Sequence, residues 1–411
     1  MQQAEVAVIG AGVVGLCIAH RLASEGREVL VIDPEVPGSG TSYGNAGTIA
    51  DYAVQPVGTP AVLRALPSLL FDRNSPLAIR QAALPALAPW LARFLRQSLP
   101  ARAEANARVL AGLLADASAL WAGLAADIGA GDLMQDRGCL YWYQTDAGLA
   151  AAKADLAFRR SLGVTVELLS AGELQALEPG LPVAGGGGAF FPGARFLTDP
   201  GRVMVLIAEA AARAGARFLR APVETLSVEG AAVTLTGPGL NLSARHAVIA
   251  AGAHSRRLAR MAGDRVPLDT ERGYHLEWDM ARAPLTRPTC PTARGFYICP
   301  MQGRLRIAGT VELGGLTAPP SPHRLRRLEE GARTIFPGLG APSRSWMGFR
   351  PSIPDSLPVI GPGRAGPAVL HAYGHGHIGL TLAPATARRI SAILSGGGMD
   401  GLSAALSPHR F

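Results

Sequence analysis

The stretch "GHGHIGL", Gly374–Leu380, sets His375 and His377 two residues apart among glycines. Two imidazoles at that spacing suit metal ligation, acid/base work, or neither. His371 adds a third ring, but Gly374, Gly376 and Gly379 break any helix that would align the three, and no carboxylate is near in sequence. A metal site is therefore not expected. Upstream lies Arg350, in "GFRP". Its planar fork matches a carboxylate bidentately. The chain has 38 arginines (39 basic residues less Lys153), so residue type alone does not single it out. Tyr274, in "ERGYHLEW", offers a hydroxyl to a carboxylate and a ring to wall an apolar pocket; it reads equally as a strand-core tyrosine. Tyr52 and Gln55 are further candidates for a pocket lining. No Ser-His-Asp order or Cys-His pair calls for a nucleophilic mechanism.

The elements that must position these residues begin with "EVAVIGAGVVGLCIAHRLASEGREVLVID". The run "VAVI" predicts a buried strand. Gly10, Ala11, Gly12, Val13, Val14 and Gly15 then form GxGxxG at a strand-to-helix turn. Gly10 permits the tight turn, Gly12 lets the backbone approach a pyrophosphate, and Gly15 lets helix and strand pack closely. Val14, Ile18 and Leu22 share one helical face, Gly26 ends the helix, and "EVLVID" is a second strand closed by Asp33 and followed by Pro34. A carboxylate there accepts hydrogen bonds from a ribose diol and argues against a 2′-phosphate, hence against NADP. The helix N-terminus offers free N–H groups to a diphosphate. The fingerprint alone does not separate NAD from FAD.

Three later segments bear on that choice. "PGSGTSYGNAGTI" can wrap a diphosphate, and its "NAG" lets backbone approach a flat ring. "HAVIAAG" is another buried strand, ending at Ala251-Gly252, with Val223 in a strand expected to pass beside an adenine. "AVLHAYGHGHIGLTLAPATARRISAIL" reads as strand, glycine turn and helix.

Length and composition bound the rest. At 411 residues, two domains are expected. With 48% apolar and 17% charged residues, the chain is globular rather than disordered. No signal peptide is recognised, no run of about 18 uninterrupted apolar residues occurs, and Cys17, Cys139, Cys290 and Cys299 form no CxxC pair. A reduced, cytoplasmic protein is expected. The net charge of +8 comes without basic-aromatic blocks, so nucleic acid is not an expected partner.

The order GxGxxG…D, "TSxxNAG", "VIAAG", "GFRP…PD…PVIG" and "GHGxxGL" resembles the FAD-dependent D-amino-acid oxidase superfamily. It looks most like the bacterial D-amino-acid dehydrogenases of the small-subunit type, and more distantly like glycine oxidase. "PLAIR" and "ERGYHLEW" look like the dehydrogenase branch. The resemblance implies an α/β fold: a discontinuous Rossmann-like FAD-binding domain (1–55, 196–262 and 340–411) and a mixed-sheet α+β substrate domain (56–195 and 263–339). It places Thr41, Ser42, Ala46, Gly47 and Thr48 on FAD, Val223 at the adenine, and His375, Gly376, Ile378, Gly379, Leu380 and Thr381 along the isoalloxazine. His375 is expected to make a structural hydrogen bond. His377 stands on the substrate side, where glycine oxidase carries arginine instead. Arg350 would anchor a substrate carboxylate.

The activity implied is oxidative deamination of a D-amino acid. Hydride passes from Cα to flavin N5, and the imine hydrolyses to a 2-oxo acid and ammonia. The amine must be neutral, and orientation is what the enzyme supplies. D-proline or 4-hydroxy-D-proline is an alternative substrate, and glycine or sarcosine a further one. A non-catalytic or NAD-binding module is the competing class. Electrons would go to a quinone or other carrier. Residues 60–98, rich in Leu, Ala and Pro with interspersed Arg64, Arg73, Arg80, Arg93 and Arg96, suit either packing on the substrate domain or lying on the inner face of a membrane. An oligomer is left open.

Overall fold

The computed structural model describes residues 2–64, 77–230, 232–397 and 400–411. Two sheets carry the molecule. The first has the order Arg217–Arg220, Val29–Asp33, Gln2–Ile9, Leu240–Ile249, Ala232–Gly237, Thr225–Glu229. Gly366–Tyr373 joins parallel to the end of Leu240–Ile249, and Val359–Gly363 pairs antiparallel with it. The neighbours in the centre run parallel, Val6 to Ile9 against Val29 to Ile32 on one side and against His246 to Ile249 on the other.

Parallel strands need cover on both faces, so their residues alternate between two cores. Val6, Val8, Val29, Val31 and Val248 pack with the helices Val13–Ser24, Pro200–Arg213 and Gly379–Leu394. Ala7, Ile9, Leu30, Ile32, Ala247 and Ile249 face the opposite cluster, with Leu226, Leu235 and Leu258.

The second sheet is mixed: Arg344–Ser352, Asp269–Asp279, Arg304–Leu313, Phe296–Met301, Thr289–Pro291, Cys139–Tyr143, Gly187–Phe191, Glu167–Leu169, with Leu77–Ile79 alongside Arg304–Leu313. The helix Pro322–Ile335 covers one face through Leu328, Ala332 and Ile335.

Two segments depart from the expected division. Arg344–Ser352, assigned to the cofactor domain by a boundary at 340, pairs with Asp269–Asp279 and belongs to the second sheet. The helices Pro100–Leu114 and Ala117–Asp127, expected in the substrate domain, bury Leu110, Leu113, Leu114, Trp121 and Leu124 in the first sheet's core. The Trp121 indole, fully buried, donates 2.8 Å to the Leu380 carbonyl. The stretch 100–127 is long and apolar enough to cross a bilayer by length and composition. Its apolar face is instead turned into this core, and Asp116 interrupts it.

Of residues 60–98, the described helix Leu84–Gln97 takes the packed arrangement. On Leu84–Gln97, the face with Leu87, Trp90 and Phe94 is buried with Leu313, while Arg93 and Arg96 face outward. The Trp90 indole reaches the Ser352 carbonyl at 3.3 Å. Arg73, in the same stretch, lies outside the described residues.

The loop "TSYGNAG" is clipped to the second sheet. Arg306 donates to the carbonyls of Tyr43 and Asn45, at 3.2 and 2.5 Å. His275 Nδ1 lies 3.1 Å from the Gly44 carbonyl, and its ring stacks on Trp346 at 5.1 Å. A Cβ on Gly44 would overlap the Trp346 ring, so only glycine fits beneath that indole.

Candidate active site

A cleft of about 1630 Å³ runs between the sheets. This exceeds the ~300–1,000 Å³ of a drug-sized ligand site, leaving room for a dinucleotide and a small substrate together.

At one end stands the glycine turn. Gly10 has φ +113°, and a Cβ there would lie 2.5 Å from the Ala250 carbonyl. A Cβ on Gly15 would overlap the Gly10 carbonyl, so Gly15 serves helix–strand packing and does not line the cleft. Gly12 faces open space: the one neighbour of a Cβ placed there is Ser42 Oγ, at 3.4 Å. Ser42 Oγ accepts from the Val13 N–H at 2.9 Å. Asp33 accepts from the N–H groups of Ala11 (2.7 Å) and Glu35 (2.8 Å). Those bonds orient the carboxylate and leave lone pairs for a diol. Ala11, Val13, Val14, Pro34, Val223, Ala251 and Gly252 line the same end.

In mid-cleft, the helix Gly379–Leu394 begins without any side-chain cap, its first N–H groups facing the cavity walled by Gly376, Ile378, Gly379 and Leu380. Opposite, Ala46 and Thr48 line the wall, and the Thr48 hydroxyl is buried without a partner. Thr41 and Thr381 also line the cleft, with their hydroxyls held by the protein. Thr41 Oγ1 donates to the Phe349 carbonyl at 3.0 Å. Thr381 Oγ1 accepts from the Ala50 N–H at 3.0 Å. Gly47 does not line the cleft: its φ of +77° and the Leu197 carbonyl, 2.5 Å from a Cβ position, account for the glycine. His375 Nε2 lies 2.9 Å from Thr386 Oγ1, whose own proton goes to the Leu382 carbonyl, so the imidazole donates. Burial pushes its pKa down to about 3, which keeps it neutral.

At the far end, Arg350 leans over Gly273. A Cβ on Gly273 would lie 2.5 Å from Arg350 Nη2, and Nη1 donates to the Thr310 carbonyl at 3.2 Å. Thr310 holds φ +57°, rare for a β-branched residue, beside a register shift in the strand pair. Its hydroxyl is buried and unpartnered. Glu271, 5% exposed, sits directly across from Arg350 in the strand register. His377 is exposed to the cleft space; enclosure by protein first, then the Arg350 and Arg159 cations, pushes its pKa down to about 4. Its imidazole is neutral near neutral pH. Tyr52 lines the wall, stacked on Phe191 at 4.2 Å, but its hydroxyl is turned to Cys139 Sγ (3.0 Å). Tyr297 donates to the Tyr141 hydroxyl at 3.2 Å nearby, and Gln55 borders a small side cavity with Glu271.

Tyr274 borders the cleft, but the carboxylate contact expected of its hydroxyl is corrected. Strand parity puts it on the sheet face opposite Arg350. Its hydroxyl donates to Glu312 Oε2 at 2.5 Å and accepts from the Ser321 N–H, while its ring packs with Leu276, Leu328 and Ala332. That hydroxyl has no free proton for a substrate carboxylate.

The profile of the FAD dependent oxidoreductase family matches residues 5–393. The chain belongs to this family. A D-amino-acid oxidase of Bradyrhizobium diazoefficiens is 36% identical, over 99% of this chain and 98% of that one. A D-amino acid dehydrogenase of Paramagnetospirillum magneticum is 33% identical, over 97% of each. Among solved structures, glycine oxidase from Geobacillus kaustophilus shares the fold at TM-score 0.78 and 24% identity, covering 100% of both chains. L-proline dehydrogenase from P. horikoshii does so at TM-score 0.76 and 21% identity, over 100% of this chain and 98% of the other.

The cofactor of this oxidoreductase is FAD, and the reading as an NAD-binding or non-catalytic module is set aside. The residues present fit it: an open Gly12, an oriented Asp33, an orphaned Thr48 hydroxyl and an uncapped helix N-terminus all face one continuous cavity. Glu271, Gly273 and Thr310 were not singled out as site residues from the sequence. A glycine inside the strand pattern "ERGYHLEW" was the available signal, since it marks a close approach by another group.

Proposed function

We propose that this oxidoreductase removes hydride from the Cα of a D-amino acid. The observation that carries the reading is Arg350, a guanidinium held in the cleft by Gly273 and Thr310 with donors left over for a carboxylate. The relatives named D-amino-acid oxidase and D-amino acid dehydrogenase support it.

FAD, when bound, supplies the two-electron acceptor. The chain's part is to bind and orient. Arg350 fixes the carboxylate, which sets the direction in which Cα presents its hydrogen. Thr310 holds Arg350 by its carbonyl, and its own hydroxyl is buried without a partner. His377 is a neutral neighbour and adds no competing cation. Tyr52, Tyr141 and Tyr297 wall the side-chain end.

Anaerobic mixing of the holoenzyme with D- and L-amino acids, prolines and N-methyl amino acids tests this by flavin bleaching. Bleaching by D-amino acids is expected. Bleaching by L-amino acids alone would overturn the reading, and D-proline alone would move it to a cyclic secondary amine. Electrons then pass to a quinone or other carrier, on the dehydrogenase reading. Membrane association on the cytoplasmic side has less support from residues 60–98 than composition suggests, because Leu87, Trp90 and Phe94 face inward. Co-sedimentation with anionic vesicles checks it.

A further inference from the structure

The carboxylate of Glu271 is a buried acid that neither the cofactor cradle nor the carboxylate anchor employs. It lines the cleft and the side cavity below the His375–Ile378 turn. It pairs in register with Arg350, so both side chains rise from the same face of adjacent strands. Yet Arg350 leans away from it, over Gly273 toward Thr310. The guanidinium is thus aimed at the cavity, with Glu271 as a counter-charge at its base. With Glu271 ionised, the pair is neutral as a whole. A substrate carboxylate arriving on Arg350 would leave two anions facing one cation in an enclosed site, an arrangement that burial penalises.

We propose that Glu271 takes up a proton as a carboxylate seats on Arg350, so that the guanidinium faces one anion at a time. This rests on Arg350 being the carboxylate anchor. For an amino-acid zwitterion, the proton leaves the ammonium nitrogen and ends on a Glu271 oxygen. One N–H bond breaks, one O–H bond forms, and no electrons change hands. The amine is left with the lone pair that loss of hydride from Cα requires. Site charge stays at zero throughout.

The surroundings agree. Burial raises the pKa of Glu271, opposed by Arg350 and by a hydrogen bond from Ser352. Neutralising Arg350 removes the larger opposing influence. On the turn above, His375 and His377 are neutral. On the same strand, Asp269 is paired at 3.9 Å with Arg256, and Arg272 lies on the other face, bound to Glu312 of the neighbouring strand. Arg159 stands beyond His377, tied to Asp155.

Calorimetry on the holoenzyme tests this with propionate, a carboxylate lacking an amine, in buffers of different ionisation enthalpy. The wild type should take up about one proton per propionate above the Glu271 pKa, with affinity falling about tenfold per pH unit there. Glu271→Gln should bind propionate with flat affinity and no uptake. Wild-type binding without proton uptake, or uptake persisting in Glu271→Gln, overturns the proposal; the first result needs no variant to fold. Arg350→Ala separates the two readings. If it abolishes binding while the wild type shows no uptake, the anchor stands and the Glu271 role falls. If it binds propionate as the wild type does, the anchor reading falls and this proposal with it.

Discussion

The two faces of the second sheet each carry an arginine–glutamate pair on neighbouring strands, and the pairs are finished differently. On the helix-covered face, Arg272 donates to Glu312 at 2.9 Å and to the Ala318 carbonyl, and Glu312 also accepts from Tyr274 and Arg80. On the cleft face, Arg350 has one carbonyl and a counter-charge. Residue types are the same. What separates a structural cation from a working one is how many of its donors the protein has already engaged.

Glu312→Ala should give the largest effect. It strands Arg272, which is fully buried, and should cost ~3–5 kcal/mol of stability, read as a fall in thermal midpoint. A silent change there would erase the contrast. Acid should act next. Glu277 lies on the cleft face but is saturated by Arg304, Arg306 and Arg344. Burial raises its pKa, but Arg306 and Arg344 outweigh that and hold it at about 2 against an ordinary 4.5. Because the folded value is depressed, the stabilisation is present above pH 4.5 and is lost as pH falls toward 2. A stability curve flat over that window would show that the network is idle.

Arg350→Ala should then remove a charge-assisted bond of about 1.5–3 kcal/mol, or roughly 10–150-fold in kcat/KM, with little change in thermal midpoint. Tyr274→Phe should do the reverse at smaller scale: about 1 kcal/mol of stability and an unchanged KM. Equal KM effects for the two variants would break the distinction between faces. Smallest of all, His377→Gln should leave the pH profile without a lost step near 6.5, since the imidazole is already neutral there.

The first sheet was legible because its constraints are local. Gly10, Gly12 and Gly15 act within one turn, and the buried strands announce themselves as unbroken apolar runs. Around Arg350 the reach is longer. Arg350 ranks ahead of Tyr274 in the sequence, and both border the cleft; strand parity and the shift at Thr310 decide that the guanidinium keeps free donors there while the Tyr274 hydroxyl goes to Glu312 on the other face. Thr41 and Thr381 line the cleft with their hydroxyls held by Phe349 and Ala50, while Gly47 lies off the cleft against Leu197; sequence spacing does not bring these partners together. Division of the chain at 340 failed for the same reason, since pairing with Asp269–Asp279 decides where Arg344–Ser352 goes.

Just beyond Arg350, Ser352 bridges to His375, the residue that opens the turn before Gly379–Leu394. That bridge is a seam two residues from the guanidinium. A chimera that exchanged the chain's middle for a relative's while keeping its ends would cut across it and disturb both grips at once. Changes of substrate preference are better sought at the other rim of the sheet, around Cys139–Tyr143 and Gly187–Phe191, where replacements leave the seam whole.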